Sequence, residues 1–460
     1  MTDKLNRSTV DAPARPVRLV HLGLGAFHRA HQVWYTQHAE DSADWGYCSF
    51  TGRSPRLSDQ LVPQDGLYTL VTRSGDGDST ELITALSEAQ PAANLARLVE
   101  LVADERLAVI TLTVTEAGYH LTDDGALDTA DADVAADIEA LRATISDAAV
   151  PDSLATAAGR VVAALNARRA AGHGGLAVMS CDNVADNGPM TRTAVLGTAR
   201  AVDEGLAEWI EAEVTFPSTS IDRITPATTD ELIADVERET GYADHAPVVT
   251  EPFASWVIEG EFPAGRPAWE TAGAEFVDDI EQYERRKLWL LNGSHSLMAY
   301  YGQLRGHATV ADAIGDSTVR RRVEALWDEA AEHLTAPGLD IPGYREALIE
   351  RFENPRIRHN LAQIGVDGGT KQRMRAVPIM KAERAAGRSG AAAAFSVAAW
   401  IAFLTRDDAE IKDARAADLD AARRESDPVA ALVAALDEEL AGDAEAVELI
   451  RGLVDEIRAE

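Results

Sequence analysis

Three polar residues in one apolar segment carry the strongest chemical signal in this sequence. Lys287, Asn292 and His295 lie in residues 284–295, which read ERRKLWLLNGSH. A lysine can act as a general base when burial or neighbouring cations lower its pKa. An asparagine amide can donate a hydrogen bond to a developing alkoxide, and a histidine can bind a neighbouring hydroxyl. These groups together suit the oxidation of a secondary alcohol, with hydride leaving for a nicotinamide.

The pattern of residues 277–304 predicts a long helix that carries these side chains. A straight α-helix turns by about 100° per residue, which places Glu284, Lys287 and His295 on one broad face and Asn292 roughly 140° from Lys287. Gly293 would loosen the helix locally and bring Asn292 round. From residue types alone, a solvated lysine and a packed histidine are the more ordinary explanation of the segment.

A second signal lies near the N-terminus, where a short apolar run meets two glycines. Residues 16–22 predict a strand, followed by a tight turn and a helix to about Gln37. In a dinucleotide-binding fold the second glycine lets the main chain approach a pyrophosphate at the helix N-terminus. The third glycine of the usual fingerprint is absent. The residues predicted to bind the cofactor here are Gly23, Leu24, Gly25, Ala26, Phe27 and His28.

The choice between NAD and NADP stays open at the end of the predicted second strand. Residues 47–51 form that strand, and an acidic residue that binds the ribose hydroxyls of NAD is expected just beyond it. Arg53 and Arg56 follow instead. An arginine near the ribose can accept the 2′-phosphate of NADP, so Arg53 is a predicted cofactor-binding residue.

The remaining strand signals predict the domain organisation. Residues 106–115 are the most β-branched run and lead into Glu116, and residues 174–182 lead into Asn183. Polar side chains at the carboxyl ends of parallel strands lie where open α/β sheets bind ligands. Beyond residue 277 strand signals nearly vanish and helical patterns dominate. We therefore expect a disordered lead-in over residues 1–15, a Rossmann-type α/β domain over 16–275 and a mostly α-helical domain over 276–460.

Composition narrows the class of protein. The 460 residues carry a net charge of −33, which disfavours nucleic acid and anionic lipid as partners. No run approaches the roughly 20 apolar residues of a membrane span, and the N-terminus lacks the apolar core of a signal peptide. Cys48 and Cys181 form no metal-ligand pattern. We expect a cytoplasmic protein without a resident metal, and an acidic helical surface over residues 407–460. The oligomeric state is unknown at this stage.

Six motifs spread over most of the chain resemble one protein family as a set. They are residues 23–31 (GLGAFHRAH), 64–68 (QDGLY), 115–119 (TEAGY), 180–183 (SCDN), 222–226 (DRITP) and 287–295 (KLWLLNGSH). The set is similar to the mannitol dehydrogenase family of polyol-specific long-chain dehydrogenases. This resemblance implies a metal-independent oxidoreductase with a Rossmann-type N-terminal domain and a mostly helical C-terminal domain. It also implies NAD as the cofactor, with NADP not excluded.

The resemblance assigns catalytic roles residue by residue. Lys287 would be the general base, and Asn183 and Asn292 would stabilise the alkoxide. His295 would hold a substrate hydroxyl. Glu284, which precedes the lysine by three residues, would pass protons between it and solvent.

Substrate-binding roles follow in the same way. Asp222 would hold a substrate hydroxyl, and Glu116 would lie near the substrate. Arg358, His359 and Lys371 fall in the C-terminal substrate-binding region. The substrate is a small polyol or ketose in every case that the resemblance allows.

Three substrate pairs compete. They are D-mannitol with D-fructose, D-mannonate with D-fructuronate, and mannitol 1-phosphate with fructose 6-phosphate. A uronate or phosphate requires a cationic subsite, and the candidates for it are Arg356, Arg358, Lys371, Arg373 and Arg375. The net charge favours the neutral D-mannitol and D-fructose. A different class, a dinucleotide-binding protein without catalysis, needs only the glycine turn and does not require Lys287, Asn292, His295 and Asn183.

Overall fold

The chain folds into two compact units in the computed structural model, which describes residues 3–460. The first unit ends at Ile280 and the second begins at Glu281, whereas the sequence analysis places the boundary between residues 275 and 276. Across residues 3–460, no helix combines the length and the apolar composition that crossing a membrane requires.

The main sheet of the first unit has five parallel strands. In spatial order they are Leu86–Gln90, Gly46–Phe50, Val17–Leu22, Val109–Leu112 and Ala177–Ser180. The first of these strands along the chain lies at the centre, and the order of strands reverses there. That arrangement confirms the predicted Rossmann-type domain, and ligands of such sheets bind beyond the carboxyl ends of the strands.

Both faces of this sheet are covered. Val20 and Ile110 point into one core cluster, and Leu19 and Val109 into the other. Successive side chains of a strand point to opposite faces, so a sheet buried on both sides needs runs of apolar residues rather than alternation. This explains why the apolar, β-branched runs of the sequence were readable as strands.

Three small sheets complete the strands of the first unit. Their members in spatial order are Asp3–Lys4 with Tyr242–Ala243; Val248–Thr250, Tyr68–Ser74 and Gly77–Ile83; and Glu275–Val277, Ser255–Glu259 and Ser218–Asp222. The strand Ser218–Asp222 is tied to the main sheet, because the Thr219 hydroxyl donates to the Ser180 carbonyl at 2.7 Å.

Helices and short 3₁₀ turns connect these strands. The α-helices are Arg7–Val10, Ala26–Ala30, Gln32–His38, Arg56–Leu61, Leu95–Ala103, Ala132–Thr144, Ala157–Ala170, Asn187–Val202, Glu204–Glu213 and Asp230–Thr240. The 3₁₀ turns are Ser42–Asp44, Val62–Gln64, Glu116–Tyr119, Ile145–Asp147 and Trp269–Ala272.

The prediction that the N-terminal lead-in is disordered is wrong for residues 3–15; residues 1 and 2 lie outside the described part of the chain. Leu5 is buried, and the short helix Arg7–Val10 follows it. The Arg7 guanidinium donates to the carbonyls of Thr84 and Leu86 at 2.9 and 2.8 Å. Polar composition predicts disorder, but the Arg7 guanidinium binds two carbonyls at the connection between the strands Gly77–Ile83 and Leu86–Gln90 and so fixes this segment.

In the second unit, Glu281–Glu460, helices are joined by loops and no strand is present; the structure describes all of these residues. Its α-helices are Glu281–Arg286, Gly293–Leu297, Val310–Gly315, Ser317–Ala331, Ile341–Glu353, Leu361–Ile364, Gly368–Ala385, Ala391–Leu404, Ala416–Ala422, Pro428–Leu436, Glu438–Gly442 and Ala444–Ala459. Two π-helical segments, Lys287–Asn292 and Met298–Gly302, interrupt the first long helical stretch.

The core of the second unit forms around the helix Ala391–Leu404. Most of its residues are buried, and it packs against Gly368–Ala385 and Ala444–Ala459. Its many alanines allow neighbouring helices to approach closely, because each contributes little side-chain volume. The acidic tail is helical, as expected, but its apolar positions Ile450 and Val454 are buried. The tail therefore forms part of the core as well as a charged surface.

Candidate active site

The glycine turn follows the central strand of the main sheet. The amide N–H groups of Gly23 and Leu24 both donate to the Phe50 carbonyl, at 2.9 and 2.8 Å. Gly23 has a φ of +117°, and a Cβ there would lie 2.5 Å from the Thr113 carbonyl oxygen. The turn thus needs glycine at position 23 for the fold itself, because side chains rarely adopt this φ.

Gly25 has a different requirement. Its φ is −146°, an extended conformation that other residues adopt, and it begins the helix Ala26–Ala30. The nearest atom to a Cβ at this position is the Gly23 carbonyl oxygen at 3.5 Å. No contact within the fold therefore excludes a Cβ at this position, so the predicted approach of a cofactor pyrophosphate to Gly25 can be tested separately from the fold.

We predict that Gly25→Ala leaves the melting temperature nearly unchanged but raises the Kd for NADH at least about tenfold, since the added methyl blocks the approach of the pyrophosphate. Gly23→Ala is the matched control. It should lower the melting temperature, because a strained φ alone costs roughly 1–3 kcal/mol. Calorimetry and NADH fluorescence titration measure both effects. Tight NADH binding by Gly25→Ala would contradict this reading of the turn.

His28, a predicted cofactor-binding residue, is fully buried. Its ring nitrogens contact Ser49 Oγ at 2.9 Å and Gln32 Oε1 at 3.1 Å. The ring stacks on His21 with a centroid separation of 3.4 Å. The His28 side chain is therefore engaged by residues of the core, and its cofactor-binding role stays a prediction.

This buried histidine pair makes stability sensitive to acid. Burial lowers the pKa of His21 to about 3 and that of His28 well below its usual value. An unfolded chain takes up these protons near pH 6.5, but the folded chain does not. We expect the free energy of unfolding to fall by about 1.4 kcal/mol per pH unit for each such histidine as the pH drops below 6.5.

Urea titrations between pH 7.5 and 5 measure this slope, and His21→Asn should reduce it by the contribution of one histidine. His38 is a suitable contrast, because the hydrogen bond that its ring donates to the Glu81 carboxylate raises its pKa. Its contribution has the opposite sign, being present at low pH and lost as the pH rises. An unchanged slope in His21→Asn would show that His21 is protonated in the folded protein.

The end of the second strand contains no acidic side chain. Gly46–Phe50 is followed by Thr51, whose hydroxyl accepts the Ala92 N–H at 3.1 Å. Arg53, two residues further on, is exposed. This stretch offers no carboxylate for the ribose of NAD, and the cofactor-binding role of Arg53 stays a prediction.

The predicted polar residues of the first unit follow the carboxyl ends of strands. Glu116 begins the turn after Val109–Leu112, and Asn183 follows Ala177–Ser180, the neighbouring strand. Both residues are exposed. Glu116 also lines a cavity of about 1010 Å³ together with His120 and Met190. Because both strands are parallel and adjacent, Glu116 and Asn183 lie at the same edge of the sheet.

Asp222 is the last residue of the strand Ser218–Asp222 and is half-buried. Its neighbour Arg223 is buried. The Arg223 guanidinium donates to the Ala30 carbonyl at 2.5 Å and to the Glu251 carbonyl at 3.2 and 3.3 Å. These bonds brace the chain beside Asp222, whose predicted role in substrate binding stays a prediction.

In the second unit, Lys287 and Asn292 are the two ends of a π-helical segment. A π-helix has i→i+5 hydrogen bonds and a wider turn than an α-helix. Two residues five positions apart, such as Lys287 and Asn292, therefore lie closer in angle around the helix axis than they would in the straight α-helix expected from the sequence. The widening spans Lys287–Asn292, whereas Gly293 has ordinary α-helical angles of −61° and −46°. The expectation that Gly293 loosens the helix is therefore wrong. The helix is widened by the π-helical segment that precedes Gly293.

Side chains from other helices satisfy the carbonyls of this segment. The Trp327 indole N–H donates to the Leu290 carbonyl at 2.9 Å, and the Ser294 hydroxyl donates to the same oxygen. The Arg375 guanidinium donates to the Asn292 carbonyl at 3.0 Å and to Ser296 Oγ at 2.9 Å. Insertion of side chains into a helical ladder is a recognised cause of local distortion.

Glu284 and Lys287 are both half-buried. Glu284 lies in the α-helix Glu281–Arg286, and Lys287 follows that helix directly. Residues three apart are neighbours on a helix surface, so the carboxylate and the ammonium group share one side of this segment.

His295 lies at the centre of a cationic group. Its ring is 4.9 Å from the His359 ring, centroid to centroid. Burial lowers its pKa well below the usual value, and the charges of His359, Arg351, Arg375 and Lys371 lower it further. His295 is therefore neutral at physiological pH, able to donate one hydrogen bond and accept another.

Lys371 belongs to this group as well. The Lys371 ammonium donates to the Ile364 carbonyl at 2.9 Å. Burial and Arg375 lower the pKa of Lys371, and Asp367 and Asp413 raise it less. Arg358 is exposed.

Arg351 and Phe352 also surround His295, although no sequence motif predicted them. The Phe352 ring is 5.2 Å from the His295 ring, and Arg351 is buried. Both lie in the helix Ile341–Glu353, where Leu348, Arg351 and Phe352 share the buried face. The i, i+3, i+4 spacing of these residues was a readable signal, since an arginine on an apolar face is uncommon.

Among residues 3–460, no group of three or more histidine, cysteine, aspartate or glutamate side chains stands in a position to hold a metal ion. Both cysteines are free and buried.

Two family models together match almost the whole chain. The mannitol dehydrogenase Rossmann domain matches residues 17–271, and the mannitol dehydrogenase C-terminal domain matches residues 279–458. The boundary between the two matches falls close to the division between the two structural units.

Named relatives and a solved structure agree with these matches. The D-mannonate oxidoreductase of Escherichia coli (strain K12) is 39% identical, covering 84% of this chain and 79% of that protein. The mannitol 2-dehydrogenase of Cereibacter sphaeroides is 37% identical, covering 84% of this chain and 80% of that protein. The Pseudomonas fluorescens mannitol 2-dehydrogenase, solved with NAD and D-mannitol, is 32% identical with a TM-score of 0.77, covering 99% of this chain and 97% of that one. The chain therefore belongs to the mannitol dehydrogenase family and is an oxidoreductase that acts on the CH–OH group of polyols.

Proposed function

We propose that this protein interconverts a sugar-derived secondary alcohol and the corresponding ketose, with Lys287 as the general base and acid. The observation that carries this proposal is the π-helical segment with Lys287 and Asn292 at its ends, followed by the buried His295. A protein that only binds a dinucleotide has no need of this arrangement in its second unit.

A bound nicotinamide supplies the acceptor for the hydride. Lys287 takes the proton from the substrate hydroxyl, and the side-chain amides of Asn183 and Asn292 donate hydrogen bonds to the resulting alkoxide oxygen. His295 and Asp222 hold neighbouring hydroxyls, and Glu116 lies near the substrate. Glu284 passes the proton from Lys287 to solvent. In the direction of reduction, Lys287 donates the proton to the ketose oxygen.

The cationic group around His295 supports an acidic substrate, D-mannonate with D-fructuronate. The Arg375 guanidinium is half-buried, and burial lowers its pKa to about 10. Its protein partners are neutral oxygens of Asn292 and Ser296. Within residues 3–460, no ion pair joins Arg375 or Lys371 to a carboxylate. Buried charges are usually paired, and a substrate carboxylate would pair these two. A net charge of −33 averages over the whole surface and does not describe this local group.

D-mannitol with D-fructose, which the sequence analysis favours, is the second candidate pair. It is supported by the similarity to two mannitol 2-dehydrogenases, one of them solved with D-mannitol. His295 and Asp222 suit the hydroxyls of a neutral polyol as well as those of a sugar acid.

Steady-state reduction of D-fructuronate, D-fructose and fructose 6-phosphate distinguishes the substrates. We expect kcat/KM for D-fructuronate to exceed that for D-fructose at least about tenfold, because charge-assisted hydrogen bonds contribute roughly 1.5–3 kcal/mol. A higher value for D-fructose assigns the neutral pair instead. A higher kcat/KM for fructose 6-phosphate would mean that the cationic group around His295 binds a phosphate. Failure to reduce any of the three overturns the proposed function.

For the cofactor we propose NAD, with NADP as the alternative. The similarity to the NAD-bound structure supports NAD, and the exposed Arg53 beyond the second strand supports NADP. The same assay with NADH and NADPH decides between them, and a clearly higher kcat/KM with NADPH would assign NADP.

A further inference from the structure

Tyr119, Ser180 and Asp182 form a compact hydrogen-bonded group in the first unit. The Tyr119 hydroxyl is 2.6 Å from Asp182 Oδ2 and 2.7 Å from Ser180 Oγ. Ser180 Oγ is 2.7 Å from the same Asp182 oxygen. All three side chains are buried, with 3%, 0% and 6% of their surfaces exposed. The proposed reaction assigns no role to Tyr119 or Asp182.

The two carboxylate oxygens of Asp182 accept hydrogen bonds from different parts of the chain. Oδ2 accepts from the Tyr119 hydroxyl, while Oδ1 accepts the Val184 N–H at 3.0 Å. A bond from an aspartate side chain to the N–H two residues on closes a tight turn. The middle residue of this turn is Asn183, so the carboxylate fixes the main chain on both sides of it.

Tyr119 brings a second loop to the same carboxylate. It is the last residue of the 3₁₀ turn Glu116–Tyr119, which follows the strand Val109–Leu112. Asp182 follows the adjacent strand Ala177–Ser180. One short hydrogen bond therefore joins the loop that carries Glu116 to the loop that carries Asn183.

The chemistry of the group favours a strong contact. Burial raises the pKa of the Tyr119 hydroxyl above its usual value, and the Asp182 charge raises it further. The hydroxyl keeps its proton and donates it. Hydrogen bonds from a neutral donor to a carboxylate are shorter and stronger than those between neutral groups, and their loss leaves a buried acceptor unsatisfied.

We propose that Tyr119 and Asp182 are positioning residues for the dehydrogenase reaction, which hold Asn183, and with it Glu116, at the carboxyl edge of the sheet. This inference rests on the role proposed above for Asn183 as a donor to the alkoxide. A donor to a developing charge must be held in place before the reaction, because misplacement by about 1 Å can cost roughly 100-fold in rate. Asn183 is exposed on the loop whose main chain the Asp182 carboxylate holds through the Val184 N–H.

The kinetic test uses Y119F, N183A and the double variant in the full chain, with D-fructuronate and D-fructose as ketose substrates. N183A should lower kcat about 100-fold, as expected for loss of one donor to an oxyanion. Y119F should lower kcat about tenfold, within the range known for residues that orient a functional side chain, and leave the Kd for NADH unchanged. If Tyr119 acts through Asn183, the double variant should have the kcat of N183A within about twofold.

A second readout does not depend on activity. Hydrogen exchange at the Val184 amide, followed by mass spectrometry of a peptide spanning residues 181–190, should become about fivefold faster in Y119F. Y301F is the matched control, because the Tyr301 hydroxyl also donates to a carboxylate, that of Glu460, at 2.5 Å. It should leave both kcat and the exchange of Val184 unchanged.

The outcomes separate this inference from the proposed function. Additive losses in the double variant, or unchanged exchange at Val184, overturn the positioning role. N183A with normal kcat overturns the role of Asn183, and a chain inactive on all ketoses overturns the proposed function; in both cases the exchange measurement still decides whether Tyr119 holds the loop. Should Y119F fail to fold, S180A removes the other hydroxyl of the group and is tested in the same way.

Discussion

Replacing Lys287 with alanine should lower kcat at least about 100-fold in both directions of the reaction, the lower end for loss of a positioned acid and base. The Kd for NADH should stay unchanged, because the glycine turn that is proposed to bind it lies in the other unit. Stopped-flow and steady-state assays measure the rate, and fluorescence titration measures NADH binding.

A nearby cation provides the control for this experiment. Arg285 is exposed and pairs with Glu281 on the solvent side of the same helix. Arg285→Ala should keep normal kcat, since surface ion pairs contribute little. Added methylamine should restore part of the rate of Lys287→Ala, because it supplies the missing amine at the same place. Turnover of Lys287→Ala close to that of the unaltered chain would show that another group transfers the proton.

The substrate preference should depend on Lys371. Lys371→Gln removes the positive charge but keeps an N–H donor for the Ile364 carbonyl, which the ammonium group now binds at 2.9 Å. We expect kcat/KM for D-fructuronate to fall about 10- to 100-fold, the loss of one charge-assisted hydrogen bond. The value for D-fructose should change much less, and the ratio of the two values is the measured quantity.

Lys381 offers a matched control on the same helix, Gly368–Ala385. It pairs with Asp437 at 3.3 Å and with Glu439, so Lys381→Gln removes an equal charge at a surface ion pair. The ratio between the two substrates should stay the same in this variant. Equal losses for both substrates in Lys371→Gln would mean that Lys371 binds a hydroxyl group, as the neutral pair D-mannitol and D-fructose requires.

Much of the first unit could be predicted because its signals are local. The run from residue 106 to 115 is β-branched, and the structure places the strand Val109–Leu112 within it. Gly23 marks a turn that only glycine fits, as its φ and the nearby Thr113 carbonyl show. Such features depend on a few neighbouring residues, and a sequence records them directly.

The N-terminal segment shows where local signals fail. Its polar composition predicts disorder, yet Arg7 binds carbonyls at Thr84 and Leu86. These partners are more than seventy residues away in sequence. Composition cannot reveal a bond whose other half is a strand end elsewhere in the fold.

For the proposed catalytic segment, too, the sequence predicted one part and missed another. Residue types alone proposed Lys287, Asn292 and His295 for alcohol oxidation. Helical periodicity then placed Asn292 too far from Lys287, because it assumes a regular α-helix. In the structure the segment is π-helical, and the side chains of Trp327 and Arg375 bind the carbonyls of Leu290 and Asn292. Those contacts come from other helices of the unit.

The sequence by itself determined the family, the Rossmann-type first unit, the helical second unit and the residue types of the proposed chemistry. It did so because strands, turns and motifs are encoded by residues close together in the chain. Only the tertiary structure decided which charges surround His295, that His28 is buried, and that Tyr119 and Asp182 join two loops. These depend on burial and on contacts between distant segments, which set both the pKa of a side chain and the position it can hold.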